Sequence, residues 1–260
     1  MAPNTLKNKL FLLSQLVRRD LVTRYAGSVG GIWWAVIHPA ILCVLYGFVF
    51  GSILRISPPP GFPGGFMEFL LGGLLPWVGV QEALVRGSGA VLDQAHLVKK
   101  LAFPVEFLVL SSLGAALLLQ AVAVAVLILW TVLFRGWAPN LPLLLLAFAF
   151  ETLVLIGPVF ALAALTVYFR DLSQLLGPAL MVVFYLTPII YPATMVPARL
   201  SPIVEANPFA LLVALFRAGL FGTSSPPAAS LAAWGAASLV LAFAGSAFFR
   251  RCRMGFADLL

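Results

Sequence analysis

From Ile32 to Leu54 the chain carries no Asp, Glu, Lys or Arg, and five later stretches repeat that pattern with few interruptions. Hydrocarbon offers a backbone no hydrogen-bond partners, so such stretches cross a bilayer as helices of roughly 20 residues. Six spans are expected, over 32–54, 66–85, 104–134, 141–169, 174–196 and 228–249. Gly72, Gly73 and Pro76 interrupt the second, and Pro188 and Pro192 fall inside the fifth. Composition agrees: 62% of the residues are hydrophobic and 10% charged, against about 25% charged in soluble domains. The fold class that follows is an all-α integral membrane protein.

The net charge of +7 raises the question of nucleic acid. No soluble fold is present to hold a basic stripe, and Lys and Arg at the ends of apolar segments are what cytoplasmic membrane flanks carry. Twelve of the sixteen basic residues fall in alternate loops: the N-terminal segment with Lys7 to Arg24, Arg86 with Lys99 and Lys100, Arg170, and Arg250 with Arg251 and Arg253. Both termini are therefore expected in the cytoplasm, and an even number of spans, which puts them on one side, agrees. The first long apolar run begins near Ile32, is too long for a signal core and has no A-x-A-like site after it, so no cleavable leader is expected. Cys43 in a span and Cys252 in a basic flank imply neither disulfide nor metal site.

Two apolar segments do not fit a simple crossing. Residues 6–22 place Leu6, Leu10, Leu13, Val17 and Leu21 on one helical face, the pattern of an amphipathic helix lying in the interface. Residues 197–222 combine Pro197, Pro202 and Pro208 with the short apolar run 209–215, which suggests a re-entrant hairpin between spans five and six. With no repeat and no linker, one membrane domain is expected: a cytoplasmic and interfacial segment at 1–31, a bundle at 32–250 and a tail at 251–260.

The sequence lacks a phosphate-binding G-x-x-x-x-G-K-[ST] loop, so no nucleotide is held by this chain. His38 and His96 stand apart from any Cys or carboxylate cluster, and no Ser has a His partner nearby. Glu151 lies deep in span four, where an ionisable group faces a partner or a wet cavity; it fits either a substrate path or a packing pair. Glu82 and Arg86 stand four apart, as a local ion pair does, and Glu68 and Glu106 fall near helix starts, where the dipole favours an acid. Trp33, Trp34 and Trp77 near span ends read as interface anchors. Tyr46, Phe50, Phe184, Tyr185 and Tyr191 lie inside spans or at the break after Pro188. Their rings can stack on sugar C–H faces, and lipid-facing packing accounts for them equally well.

Motifs carry further than composition. RRDLVTRYAGSVGGIWWAVIHP at 18–39, FLLGGLLPW at 69–77 and LVKKLAFPVEFLVLSSL at 97–113 resemble, in order, the ABC-2 type polysaccharide export permeases. YFRDLSQLLGP at 168–178, LTPIIYP at 186–192 and ANPFALLVALFRAGLFG at 206–222 continue the resemblance, which looks closest to the O-antigen branch. It implies an interface helix, six spans, gate helices between spans five and six, and a homodimer with the sugar path between protomers. It also implies two copies of a separate ATPase subunit that bind ATP and Mg, an undecaprenyl-linked glycan as cargo, and a bacterial inner-membrane location. Under that resemblance the loop 87–103 is the expected coupling element, with a flexible Gly87-Ser88-Gly89 start and a helix from Ala90 to Leu101. Asp93, His96, Lys99 and Lys100 form its polar side and Val91, Leu92, Leu97 and Val98 its apolar side, a shape suited to a partner's groove. Arg170 and Asp171 would add a second contact. Teichoic-acid, capsule or small-molecule export and a membrane-embedded enzyme on lipid-linked sugars are the rival readings; the last wants a catalytic cluster, and the charged residues here are dispersed.

Overall fold

A computed structural model describes residues 6–100 and 104–259, and the described residues with regular structure are helical. In chain order the helices are α1 (Leu6–Arg24), α2 (Trp34–Tyr46), α3 (Phe66–Gly89), α4 (Ala95–Lys100), α5 (Glu106–Arg135) and α6 (Leu141–Tyr168). They continue as α7 (Leu172–Leu186), α8 (Ser201–Glu205), α9 (Pro208–Phe221), α10 (Ala228–Cys252) and α11 (Phe256–Leu259). Five segments are long and apolar enough to cross a membrane: Gly31–Phe50, Phe66–Gly89, Glu106–Arg135, Leu141–Tyr168 and Ala228–Gly255.

Local sequence sets these boundaries. Asn140 precedes α6, and its side chain accepts from Leu143 N at 3.2 Å; Asn207 does the same for α9, accepting from Phe209 N at 2.9 Å. Each is followed by a proline in the first turn, where the missing N–H costs nothing. Gly136 and Gly222, at φ 69° and 68°, end α5 and α9 in the left-handed conformation a helix C-terminus favours. The first span passes at Gly47 into a π-helical stretch, Gly47–Ile53.

Ion pairs and hydrogen bonds define two ends of the bundle. At one end Arg19 of α1 donates to Gln94, Arg253 pairs with Glu106, and the Tyr168 hydroxyl donates to Cys252 O at 2.9 Å. The C-terminal half of α1, the 92–100 segment, the α6–α7 turn and the end of α10 therefore share this end, the terminal end. At the opposite end Arg135 of α5 meets the fully buried Glu68 of α3 at 2.9 Å, and Asn140 N donates to Gly219 O at 2.7 Å. Glu68 also accepts from Gly65 N at 2.9 Å, so one carboxylate caps α3 and ties it to α5.

The core lies between α3, α5, α6 and α9. α10 packs along α6 through small residues: a Cβ on Gly157 would stand 2.4 Å from Leu241 O, and one on Gly245 would stand 2.2 Å from Gly157 O. Backbone-to-backbone approach of this kind is how helices associate where burial supplies no hydrophobic gain.

Several expectations are corrected. The fifth apolar stretch, 174–196, is not one helix: α7 has 15 residues and stops at Leu186, because Pro188 leaves the preceding residue little access to helical geometry. Its last turn lies deep. Phe184 and Phe209 each place a ring 5.8 Å from Trp77, which stands eleven residues into α3, about 16 Å along it at 1.5 Å per residue. α7 thus ends at the depth where α9 begins, and α9 climbs back to Phe221 beside Phe62. Trp77 is not an anchor near a span end, since it is buried between these two helices. On α1, Leu10 of the expected apolar stripe is exposed, and the residue most buried is Leu16, outside the stripe. The helix rests on α5 there, with Val17 against Gly114.

Candidate functional site

The aromatic candidates fall into two groups that no ring contact joins among the described residues. Tyr46 and Phe50 stack at 5.7 Å across the start of the π-helical stretch, and Phe50 continues to Phe66 at 5.1 Å. A π turn widens a helix and commonly marks a working position. In the second group Phe184 packs between Trp77 and Tyr185, and the half-exposed Tyr185 offers its carbonyl to the Tyr191 hydroxyl at 2.8 Å. Tyr185 and Tyr191 line a cavity of about 320 Å³ with Met195 and Leu200, both exposed.

Glu151 belongs to neither group. It is fully buried on α6 and accepts the Gln120 amide of α5 at 2.7 Å. Gln120 in turn lines a cavity of about 340 Å³ between α2, α3 and α5, with Trp34, His38 and Glu82 around it. Gln120 was invisible to the sequence reading, which singles out charges; a lone amide deep in span three is the signal that finds it.

At the terminal end the structure assembles a polar junction. Arg24 donates to Glu82 at 2.7 Å and to Asp20 at 3.2 Å, while Arg86 stands 3.6 Å from each carboxylate. The expected Glu82–Arg86 pair is present, but the shorter bond of Glu82 is to α1. Helix α3 runs through Gly87, Ser88 and Gly89 without a break, a 3-10 turn covers Leu92–Gln94, and α4 follows. The 90–101 stretch is thus two short pieces, of which Leu101 and the lysine side chain of Lys100 lie outside the described residues. Leu92, Leu97 and Val98 are half-buried against the bundle's own core, whereas Asp93, His96 and Lys99 are exposed. Burial raises the Asp93 carboxyl above its ordinary value, with the Arg86 charge opposing and Asp20 adding to it. α11 packs against α4 from the other side, its Phe256 buried on Phe249. Arg170 and Asp171 are exposed at the same end, and Trp33 and Trp34 are exposed where the 3-10 turn Gly31–Trp33 passes into α2.

Arg217, within the 206–222 stretch, is buried on α9. Its guanidinium donates to Phe69 O, Pro188 O and Ile189 O at 2.7–3.2 Å and lies 3.7 Å over the Phe69 ring. One side chain thereby fastens α9 to α3 and to the chain just beyond α7. Among the described residues no three His, Cys, Asp or Glu side chains come together to hold a metal.

Comparison with known proteins assigns the architecture. The chain is 26% identical over 256 residues to the O-antigen export system permease protein RfbA of Klebsiella pneumoniae, covering 96% of this chain and 95% of that one. It is 29% identical over 255 residues to the protein of the same name from Myxococcus xanthus, covering 95% and 94%. Residues 12–221 match the ABC-2 type transporter model. With more than half its length matched and its helices laid out as a multi-pass bundle, the chain belongs to the ABC-2 type transporter family.

Proposed function

We propose that this chain is the permease subunit of an exporter that moves an O-antigen-type polysaccharide, carried on an undecaprenyl lipid, across a bacterial inner membrane. The observation that carries this reading is the end-to-end match to relatives named as O-antigen export permeases, covering about 95% of each chain. Two copies of a separate ATPase subunit, which bind ATP and Mg, supply the energy, and the chain itself performs no chemistry on its cargo.

The terminal end is the cytoplasmic one, since twelve of sixteen basic residues gather there. α7 is a sixth, short crossing: at about 1.5 Å per residue its 15 residues cover about 22 Å of a hydrocarbon core near 30 Å. The segment after Leu186 completes it, and α9 is the climbing arm of a re-entrant hairpin. α1 lies at the cytoplasmic interface, with Trp33 and Trp34 as anchors, and the whole chain is one membrane domain.

Two copies pair through the exposed apolar faces of α2 and α7, where Ile41, Val44, Met181 and Val182 find no partner within one protomer. The glycan passes between them along Tyr46, Phe50, Phe184, Tyr185 and Tyr191. Glu151 is off this path, since it is enclosed between α5 and α6. Coupling to the ATPase runs through the exposed Asp93, His96 and Lys99, supported from beneath by Leu92 and Leu97, with Lys100, Arg170 and Asp171 as further contacts. Deleting the gene tests the reading: a lipid-linked glycan should accumulate on the cytoplasmic side, and normal glycan export without the gene would refute it.

A further inference from the structure

At the end opposite the termini, Arg217 forms part of the wall of a cavity of about 490 Å³. The cavity opens to the surface and is bordered by four connections: the chain before α3, the turn after α7, the α8–α9 pair and the loop between α9 and α10. Its apolar wall joins the half-buried Phe62 and several prolines to the aliphatic Val204 and Leu211, with the buried Phe69 beneath, and its rim carries the hydroxyls of Thr223, Ser224 and Ser225. Phe69 is held rigidly, with Phe62 edge-on at 5.5 Å and Arg217 over its face.

The polar groups restrict the occupant. Arg217 is 92% buried, and among the described residues no carboxylate pairs with it. A guanidinium has five N–H donors; four go to backbone carbonyls, which leaves one on Nη1. The one carboxylate lining the cavity, Glu205, is exposed and unpaired among the described residues. A free acceptor, a leftover donor and three hydroxyls disfavour a lipid chain. Glu205 disfavours an anion, and a single carboxylate is too little for a metal. The Phe62 ring and the apolar wall around it, beside a mixed set of donors and acceptors, complement a pyranose ring, apolar on its C–H faces and hydroxylated around its edge.

We infer that this cavity is a binding site for uncharged sugar units of the transported chain, within a single protomer and separate from the path between two copies. The site rests on the polysaccharide reading above. It would hold the glycan as it leaves the bundle, so that a segment already exported does not slide back while the ATPase resets.

Site-specific photo-crosslinking in cells making the glycan tests it, with the assembled transporter and p-benzoylphenylalanine at Ser224, at Tyr185 or at Arg199. Ser224 lines the cavity, Tyr185 lies on the proposed path, and Arg199 is exposed at the same end outside the cavity. Irradiation should give a ladder of glycan adducts, sensitive to periodate, at 224 and not at 199. Adding Glu205→Ala and Ser225→Ala should lower the yield at 224 about tenfold, as expected from losing two hydrogen bonds to hydroxyls. Adducts at 185 with none at 224, an unchanged yield in the double variant, or lipid in place of glycan at 224 would each overturn the cavity site. Absence of glycan adducts at every position, together with normal export in the deletion strain, would instead overturn the polysaccharide reading.

Discussion

The Gln120 amide donates to Glu151 Oε2 at 2.7 Å, and the remaining oxygen of each side chain has no partner. The pair crosses from α5 to α6 in the middle of the bundle, and Gly79 makes room for it: a Cβ there would stand 1.7 Å from Gln120 Oε1. Removing one partner leaves a buried polar group alone, and removing both does not. Gln120→Leu should therefore destabilise the purified protein by about 1–2 kcal/mol, the upper range for interhelical bonds in membranes. Gln120→Leu with Glu151→Leu should recover most of that loss. Thermal unfolding in detergent of the four proteins of the cycle measures the coupling, and strictly additive losses would show that the pair does not act as a unit.

The α6–α10 seam makes a sharper demand. Gly157→Ala and Gly245→Ala put a methyl against backbone, which cannot turn aside as a side chain can. Each should cost about 1–3 kcal/mol, the range for overpacking. Gly177→Ala on α7 meets nothing within 4 Å and should be neutral or stabilise by up to about 1 kcal/mol. Melting temperatures of the three variants give the ranking.

At the terminal end, the placement of Leu92 and Leu97 separates two kinds of damage. Asp at both positions would bury carboxylates in the bundle itself and lower stability. Reversing exposed charge away from Asp93, with Lys99→Glu and Arg170→Glu, should leave melting unchanged while the ATPase no longer co-purifies. Asp93 also has a sign that can be checked. Its folded carboxyl titrates above the ordinary 3.8, so the folded state holds the proton more tightly than the unfolded one. Stability should be highest below that value and fall as pH rises through the raised one. Asp93→Asn should remove that slope from a pH series of melting temperatures.

Orientation is tested by cysteine labelling. Ser225→Cys, exposed at the end opposite the termini, should react with an impermeant thiol reagent in spheroplasts, and native Cys252 should react only after the membrane is opened. Labelling of Cys252 in intact spheroplasts would reverse the bundle.

The long spans were legible because their signal is collective: twenty apolar residues leave a helix in lipid few alternatives. The caps at Asn140 and Asn207 and the stop before Pro188 are local chemistry too, but the expectations passed over them, running one span over 174–196. What escaped was pairing at a distance. Nothing near Arg217 in the sequence announces the carbonyls of Phe69 and Pro188, and Arg24 meets Glu82 only because α1 lies beside α3. Trp77 misled for a related reason. Its place in the second apolar run suggested a span end, but α7 and α9 meet beside it and turn the middle of α3 into an aromatic core. On α1, Leu13, Val17 and Leu21 of the expected stripe are half-buried and Leu16 beside them is buried, while Leu10 is exposed, because the helix rests on α5 near Gly114.

Arg217 takes its hold from main-chain oxygens, and every residue type offers one. The tie itself does not depend on the side chains at 188 and 189, which are held for other reasons, Pro188 by stopping α7 and Ile189 by its burial in the core. Position 217 is different, since only a guanidinium reaches three carbonyls on two segments at once. Relatives could in this way diverge widely in the loops that meet their own cargo while keeping one fixed fastening beneath them.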